Sequence, residues 1–153
     1  MESIQAKGRD NARTPMQWDG SAQAGFSSGQ PWIGLNPNAS EVNAERALAD
    51  TDSVFHYYRA LIALRKQLPV LVEGKHELLL PGHEQLYAYS RSLAEQRLLV
   101  LCNFGASEQA VELPPQLAAC QARRLIGNYP ETRPLALAGL RLRPYEALMC
   151  WLH

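Results

Sequence analysis

Residues 98–102 read Leu-Leu-Val-Leu-Cys, an unbroken apolar run between Arg97 and Asn103. A run this short suits a strand, and one that is apolar at every position suits a strand buried in the centre of a sheet. The chain around it supplies partners of the right kind. His76–Leu80 is a short candidate strand ended by Pro81-Gly82. Gln85–Arg91 alternates, with Tyr87 and Tyr89 on one side and Leu86 and Ala88 on the other. Leu93–Gln96 makes a turn. Gln109–Leu113, Ala122–Ile126, Gly139–Arg143 and Tyr145–Leu152 complete the set, punctuated by Pro114-Pro115, Gly127-Asn128, Pro130 and Pro134. Short strands separated by turn signals predict a mainly β class: an antiparallel, Greek-key-like β-sandwich from about residue 75 to the end.

Before residue 75 the pattern differs. Val54, Phe55, Tyr58, Leu61 and Ile62 recur at helical spacing, and Tyr57, Leu64 and Leu68 widen the apolar face to more than half the circumference. Asp52 or Ser53 is expected to cap this helix. Arg65 and Lys66 suit its last turn, and Pro69 stops it, which places it at about 53–67. So wide a face is built to pack against two things at once. Glu41–Ala49 predicts a short helix ahead of it. Residues 1–40 are loop-like, rich in Gly, Ser, Pro, Asn and Gln, with Phe26, Pro31-Trp32-Ile33 and Leu35 expected to pin the loop to a surface. A loop that long is usually functional or part of something larger.

Several function classes are excluded by composition. Fifteen basic and fifteen acidic side chains give a net charge of zero, a poor basis for binding nucleic acid. No apolar stretch approaches the roughly 20 residues of a membrane span, and Met1–Lys7 lacks a signal core. Cys102, Cys120 and Cys150 form no CxxC pair, and an odd, scattered set argues for reduced thiols in a cytoplasmic protein, the first and last of them in the core. His56, His76, His83 and His153 share no ligand spacing, so no metal or organic cofactor is expected; His56 is read as solvated. No nucleophile elbow, HExxH or phosphate-binding glycine loop is present. Glu146, in an alternating strand, is expected to face solvent.

What remains is Gly8-Arg9-Asp10-Asn11-Ala12-Arg13-Thr14-Pro15-Met16-Gln17-Trp18-Asp19-Gly20. A guanidinium fork suits paired oxygens, so Arg9, Asp10 and Arg13 are candidate contacts to a polyhydroxylated or anionic ligand, with Trp18 or Trp32 able to stack on a sugar. The alternative from residue types is that Arg9 and Asp10 lock a loop through mutual salt bridges while the tryptophans anchor it.

The segment Arg9–Asp19 closely resembles one shared by bacterial α-glucosidases of glycoside hydrolase family 13, the α-amylase superfamily, which include oligo-1,6-glucosidases and trehalose-6-phosphate hydrolases. The resemblance continues in order through Ala24-Gly25-Phe26, Pro31-Trp32-Ile33, Asn36-Pro37-Asn38 and Val42-Asn43. It extends along the helix from Asp52-Ser53-Val54-Phe55-His56-Tyr57-Tyr58-Arg59 to Leu61-Ile62-Ala63-Leu64-Arg65-Lys66, and ends in Leu142-Arg143-Pro144-Tyr145-Glu146-Ala147. One departure is Ala39, where many relatives carry an aromatic residue.

The resemblance implies a TIM barrel followed by an antiparallel β domain, with the active site in the barrel's βα loops. Residues 1–74 would be the remnant of a truncated barrel, its last loop (1–40) and last helix, and residues 75–153 the all-β C-terminal domain. Arg9 matches an arginine expected to hydrogen-bond the non-reducing glucose, Asp10 would orient Arg9, and Arg13 would support the loop. The ligand of the intact enzyme would be a small oligosaccharide or a disaccharide phosphate. A retaining enzyme needs two carboxyl groups about 5–5.5 Å apart. The family's Arg-x-Asp, Glu and Asn-His-Asp motifs do not occur here, so the chain alone is expected to be inactive and structural. A stand-alone carbohydrate-binding or protein-interaction β module is the alternative. Two further expectations follow: Gly8–Gly20 should be poorly ordered without a barrel, and a helix face with Tyr57, Tyr58, Leu61 and Leu64 should self-associate.

Overall fold

Strand β3 (Gln96–Asn103), which holds the apolar run, lies at the centre of a five-stranded antiparallel sheet in the computed structural model, which describes residues 12–130 and 134–153. The sheet order is β1-β2-β3-β7-β5, with β1 at Lys75–Leu78, β2 at Leu86–Leu93, β5 at Ala122–Gly127 and β7 at Ala147–Leu152. Residue Leu99 faces Ser90 on β2 and Cys150 on β7. Two short strands, β4 (Gln109–Ala110) and β6 (Arg141–Leu142), pair in a second sheet. Strand β7 therefore enters between β3 and β5, the long-range return expected of the sandwich.

Alternation assigns each leucine of β3 to a layer. Leu99 and Leu101 face the main core with Leu86, Ala88, Leu148, Cys150 and Leu152, and Val111, Leu117, Leu137 and Leu142 cover them. Leu98 faces the other way with Met149, Val100 and Trp151. There it meets Leu64 of helix α2 (Val54–Gln67), Leu68 just beyond that helix, and Val70 and Leu71 of α3 (Val70–Glu73). An apolar residue at every position is thus explained by two covered faces. Burying each leucine is worth about 1.5–3 kcal/mol. Pro69 ends α2 and heads α3. Gly74 closes α3, where an added Cβ would lie 2.4 Å from the Val70 carbonyl. The Arg91 guanidinium donates to the Gly74 and Val72 carbonyls at 2.8 and 3.2 Å, tying that end to β2.

Four expectations are corrected. Glu146 is only 5% exposed. Tyr145 ahead of it has φ 55, a left-handed turn that resets the alternation before β7 begins. The Glu146 carboxylate accepts from the Arg143 amide at 2.8 Å and pairs with its guanidinium at 2.8 Å. Burial opposes ionisation, but the hydrogen bonds from the Arg143 side chain and amide, with the charges of Arg143 and Arg124, outweigh it and hold the carboxyl below its usual range. Ser53 does not cap α2; its hydroxyl donates to the Ala47 carbonyl at 2.6 Å, and the Asp50 side chain accepts from the Asp52 amide. His56 is half-buried, with Nε2 3.0 Å from the Leu48 carbonyl oxygen. The exposed stripe of α2 is Val54, Phe55, Tyr58 and Ile62, whereas Leu64 packs on the sheet.

The three cysteines are unpaired. Cys150 is buried, and burial pushes its thiol up to about 12; Cys102 is half-buried. Among the described residues no helix is long and apolar enough to cross a membrane.

Candidate functional site

The chain divides into two compact units at Arg59/Ala60, and the candidate site belongs to the first. Arg9 and Asp10 lie outside the described residues. Arg13 is described, and its side chain is exposed. The expectation of poor order for Gly8–Gly20 lies outside the described residues for Gly8–Asn11, and Thr14–Asp19 is held by a set of side-chain amides that sequence reading passed over.

Gln17 is the centre of this set. Its Nε2 donates to the Val42 carbonyl and, at 3.5 Å, to Asn38 Oδ1. Its Oε1 accepts from Asn36 Nδ2 at 3.1 Å, and the same Asn36 amide donates to Thr14 Oγ1 at 3.2 Å. The Gln17 and Trp18 carbonyls then accept the Ala44 and Glu45 amides, both at 2.9 Å. Those are the first two N–H groups of helix α1 (Ala44–Ala49), which has no internal partners for them. Buried Asn43 supplies the third bond, its Oδ1 accepting from the Arg46 amide at 2.9 Å, while its Nδ2 donates to the Ala39 carbonyl. The segment is clasped to a helix start by hydrogen bonds.

Its far end is closed by a left-handed turn. Gln23, Ala24 and Gly25 have φ of 54, 52 and 65, and the Ala24 carbonyl accepts from the Trp18 amide at 2.9 Å. Glycine suits position 25, where φ is left-handed and an added Cβ would sit 2.5 Å from an Asp19 carboxylate oxygen and push that side chain off Ser21. That carboxylate accepts from the Ser21 hydroxyl and amide, which lower its pKa. It is engaged in holding the turn. The hydrophobic residues of the loop do not all pin it: Ala24 is buried and Ile33 and Leu35 are half-buried, but Trp32 is 90% exposed and Phe26 and Trp18 about half so. The arrangement offers an exposed guanidinium and exposed aromatic rings on a hydrogen-bonded frame. Among the described residues no group of His, Cys, Asp or Glu side chains is placed to hold a metal ion.

A sequence signal for the clasp exists. Three asparagines and a proline fall within residues 36–43, a turn-forming composition. What cannot be read from it is that Gln17, nearly 20 residues before Asn36, is the shared partner of Asn36 and Asn38.

Comparison with known proteins follows the same order along the chain. Residues 1–74 match the α-amylase catalytic domain, and residues 76–149 match the C-terminal domain of maltogenic amylase. The chain belongs to the α-amylase family. It is 47% identical over 147 residues to an oligo-1,6-glucosidase of Parageobacillus thermoglucosidasius, covering 96% of this chain and 26% of that protein. It is 43% identical over 150 residues to a trehalose-6-phosphate hydrolase of Escherichia coli, covering 98% and 26%. Among solved structures, the trehalose-6-phosphate hydrolase of Bacillus licheniformis superposes with a TM-score of 0.89 at 39% identity, over 99% of this chain and 27% of that one. The trehalulose synthase of Pseudomonas mesoacidophila does so with a TM-score of 0.87 at 40% identity, over 95% and 26%. The α-amylase-family chain described here therefore spans about a quarter of the length of the relatives it matches, and its β unit is the family's C-terminal β domain.

Proposed function

We propose that the chain is the C-terminal portion of a retaining α-glucosidase that hydrolyses α-glucosidic bonds of small oligosaccharides or of trehalose 6-phosphate. In this reading residues 1–74 are the last loop and helix of the barrel, and residues 75–153 are its C-terminal domain. The observation that carries the reading is end-to-end similarity to oligo-1,6-glucosidases and trehalose-6-phosphate hydrolases over only a quarter of their length. Arg9 would contact the sugar, Asp10 would orient it, and Arg13 would support the loop. The motifs for nucleophile, acid and stabiliser are absent from this sequence, so the chain alone serves a structural role. Three unpaired cysteines favour a cytoplasmic setting. The test is release of p-nitrophenol from its α-glucoside: the rate should equal that of buffer, and turnover abolished by Arg9→Ala would overturn the reading.

A second reading, an interaction module, is favoured by the α2 stripe. Val54, Tyr58 and Ile62 are 73%, 63% and 52% exposed on one helix face. Such a stripe should drive self-association. Sedimentation should show a concentration-dependent dimer that Ile62→Glu weakens, and a monomer at all concentrations would remove this reading.

A further inference from the structure

We propose that the β unit binds a small organic anion in the cavity of about 550 Å³ between β5, β6, β7 and the segment 134–140, with Arg124 as the residue that holds the charge. The proposal does not depend on the α-glucosidase reading. Residues 131–133, outside the described ones, form no part of the site. Strand β5 places the cation. Arg124 faces Cys150 across β5 and β7, and residues opposite each other in an antiparallel ladder point to the same side. Cys150 belongs to the main core, so Arg124 is turned toward the interior of the sandwich. A register shift after Arg124 then pairs Ile126 with Met149, in the opposite layer, so β5 turns a guanidinium inward and an isoleucine outward.

A charge turned toward a core requires partners. Five charged side chains line the cavity, and four of them pair off, Arg141 with Glu108 and Arg143 with Glu146. Arg124 is left over: among the described residues no carboxylate forms an ion pair with it. Its charge reaches Glu146, but both oxygens of that carboxylate are already held by Arg143. Of the five N–H groups of the Arg124 guanidinium, one is engaged, donated by Nη2 to the Tyr129 carbonyl. Leu140, Leu142 and Leu148 line the apolar part of the same cavity. A guanidinium fork suits paired oxygens, and the leucines suit a compact body behind them. A phosphate monoester and a carboxylate both present that oxyanion.

Amide shifts of the 153-residue chain test the site, followed by NMR during titration with inorganic phosphate, glucose 6-phosphate or hexanoate. At least one of these anions should saturate shifts at Arg124, Leu142 and Leu148 below about 10 mM, and neutral glucose and 1-hexanol should not. Saturation by the phosphates alone identifies a phosphate ester, and by hexanoate alone a carboxylate. Arg124→Gln keeps a donor for the Tyr129 carbonyl and should weaken anion binding about tenfold. Ala138 is exposed at the rim, so Ala138→Glu adds a negative charge without disturbing the core and should weaken binding about threefold. No saturable shift with any of the anions overturns the proposal, as does binding of glucose or 1-hexanol as tight as that of the anions. Unchanged affinity in folded Arg124→Gln also overturns it, and if that variant does not fold, unchanged affinity in Ala138→Glu does so.

Discussion

The two units of this chain are held together by different physics. In residues 12–59 only Pro15, Ala24 and Asn43 are buried, and the frame is a chain of amides reaching carbonyls. In residues 60–153 leucines from β2, β3 and β7 and from the segments that cover them fill two layers on either side of one sheet. Apolar burial is additive and non-directional, whereas each hydrogen bond adds only about 1 kcal/mol net over its bonds to water. The β unit can therefore fix its own fold. The loop unit has its geometry specified in detail but little energy to defend it, and its Trp18, Phe26 and Trp32 stay exposed.

Core truncation tests this contrast most severely. Leu99 is fully buried in the main core. Leu99→Ala should cost about 3 kcal/mol, from lost transfer energy and the cavity left behind. Leu35→Ala in the loop unit should cost less than about 1 kcal/mol, since Leu35 is only half-buried. Trp151 reports the β unit by itself once Trp18 and Trp32 are changed to Phe, because the chain has three tryptophans. Urea unfolding followed at Trp151 measures Leu99→Ala, hydrogen exchange at the Ala44 and Glu45 amides measures Leu35→Ala, and equal losses would erase the distinction between the units.

The β unit also contains one polar device, and it ranks next. Glu146→Gln keeps the shape but removes the charge facing Arg143. Hydrogen bonds to charged groups contribute about 1.5–3 kcal/mol, and partial exposure of Arg143 keeps the loss at about 2 kcal/mol. The same pair sets a pH dependence. The folded pKa of Glu146 lies below its ordinary value of 4.5. The stabilisation is therefore fully present above that ordinary value and is lost as pH falls through the lower, folded pKa. Urea midpoints taken at falling pH below 4.5 should converge for wild type and Glu146→Gln, and parallel curves would show that the carboxylate contributes nothing.

How legible each part was follows from the same contrast. Periodicity reports burial, so β3, β2 and α2 were read with boundaries close to those observed. The Leu-Leu-Val-Leu run correctly announced a central strand. Polar contacts between distant segments leave no periodic trace. Glu146 was misread because Tyr145 turns left-handed and breaks the parity on which the reading relied. The Gln17–Asn36 bond joins residues 19 apart. Ser53 was expected to cap a helix because its type suits that role, yet it bonds backward to Ala47. The family resemblance located the segment that carries Arg9 and Arg13, but it said nothing of what holds it.

Helix α1 sharpens the contrast on a smaller scale. Asn43→Ala removes both the cap on Arg46 and the bond to Ala39, for a loss of about 1 kcal/mol. In the β unit such a loss would shift one cooperative transition. In the loop unit it should appear locally, as faster exchange at the Arg46 amide, with the Trp151 transition unmoved. A matching shift at Trp151 would mean that the two units unfold together.

The smallest effect compares the same backbone strain in both units. Ala94 in the β2–β3 turn has φ 49, and Ala24 in the loop turn has φ 52. A left-handed alanine costs roughly 1 kcal/mol that glycine avoids. Glycine returns about half of that gain as extra freedom in the unfolded chain. Ala94 is exposed, so its methyl contributes no burial, and Ala94→Gly should stabilise the protein by about 0.5 kcal/mol. Ala24 is 1% exposed. Ala24→Gly gives up a buried methyl worth about 0.8 kcal/mol, which cancels the relief and leaves the loop unit slightly less stable. Opposite signs for one substitution at one φ would show that the loop unit, for all its polar bonding, uses what little apolar burial it has at its tightest turn. Hydrogen exchange at the Trp18 amide, which donates to Ala24, reads the loop side, and urea unfolding at Trp151 reads the other.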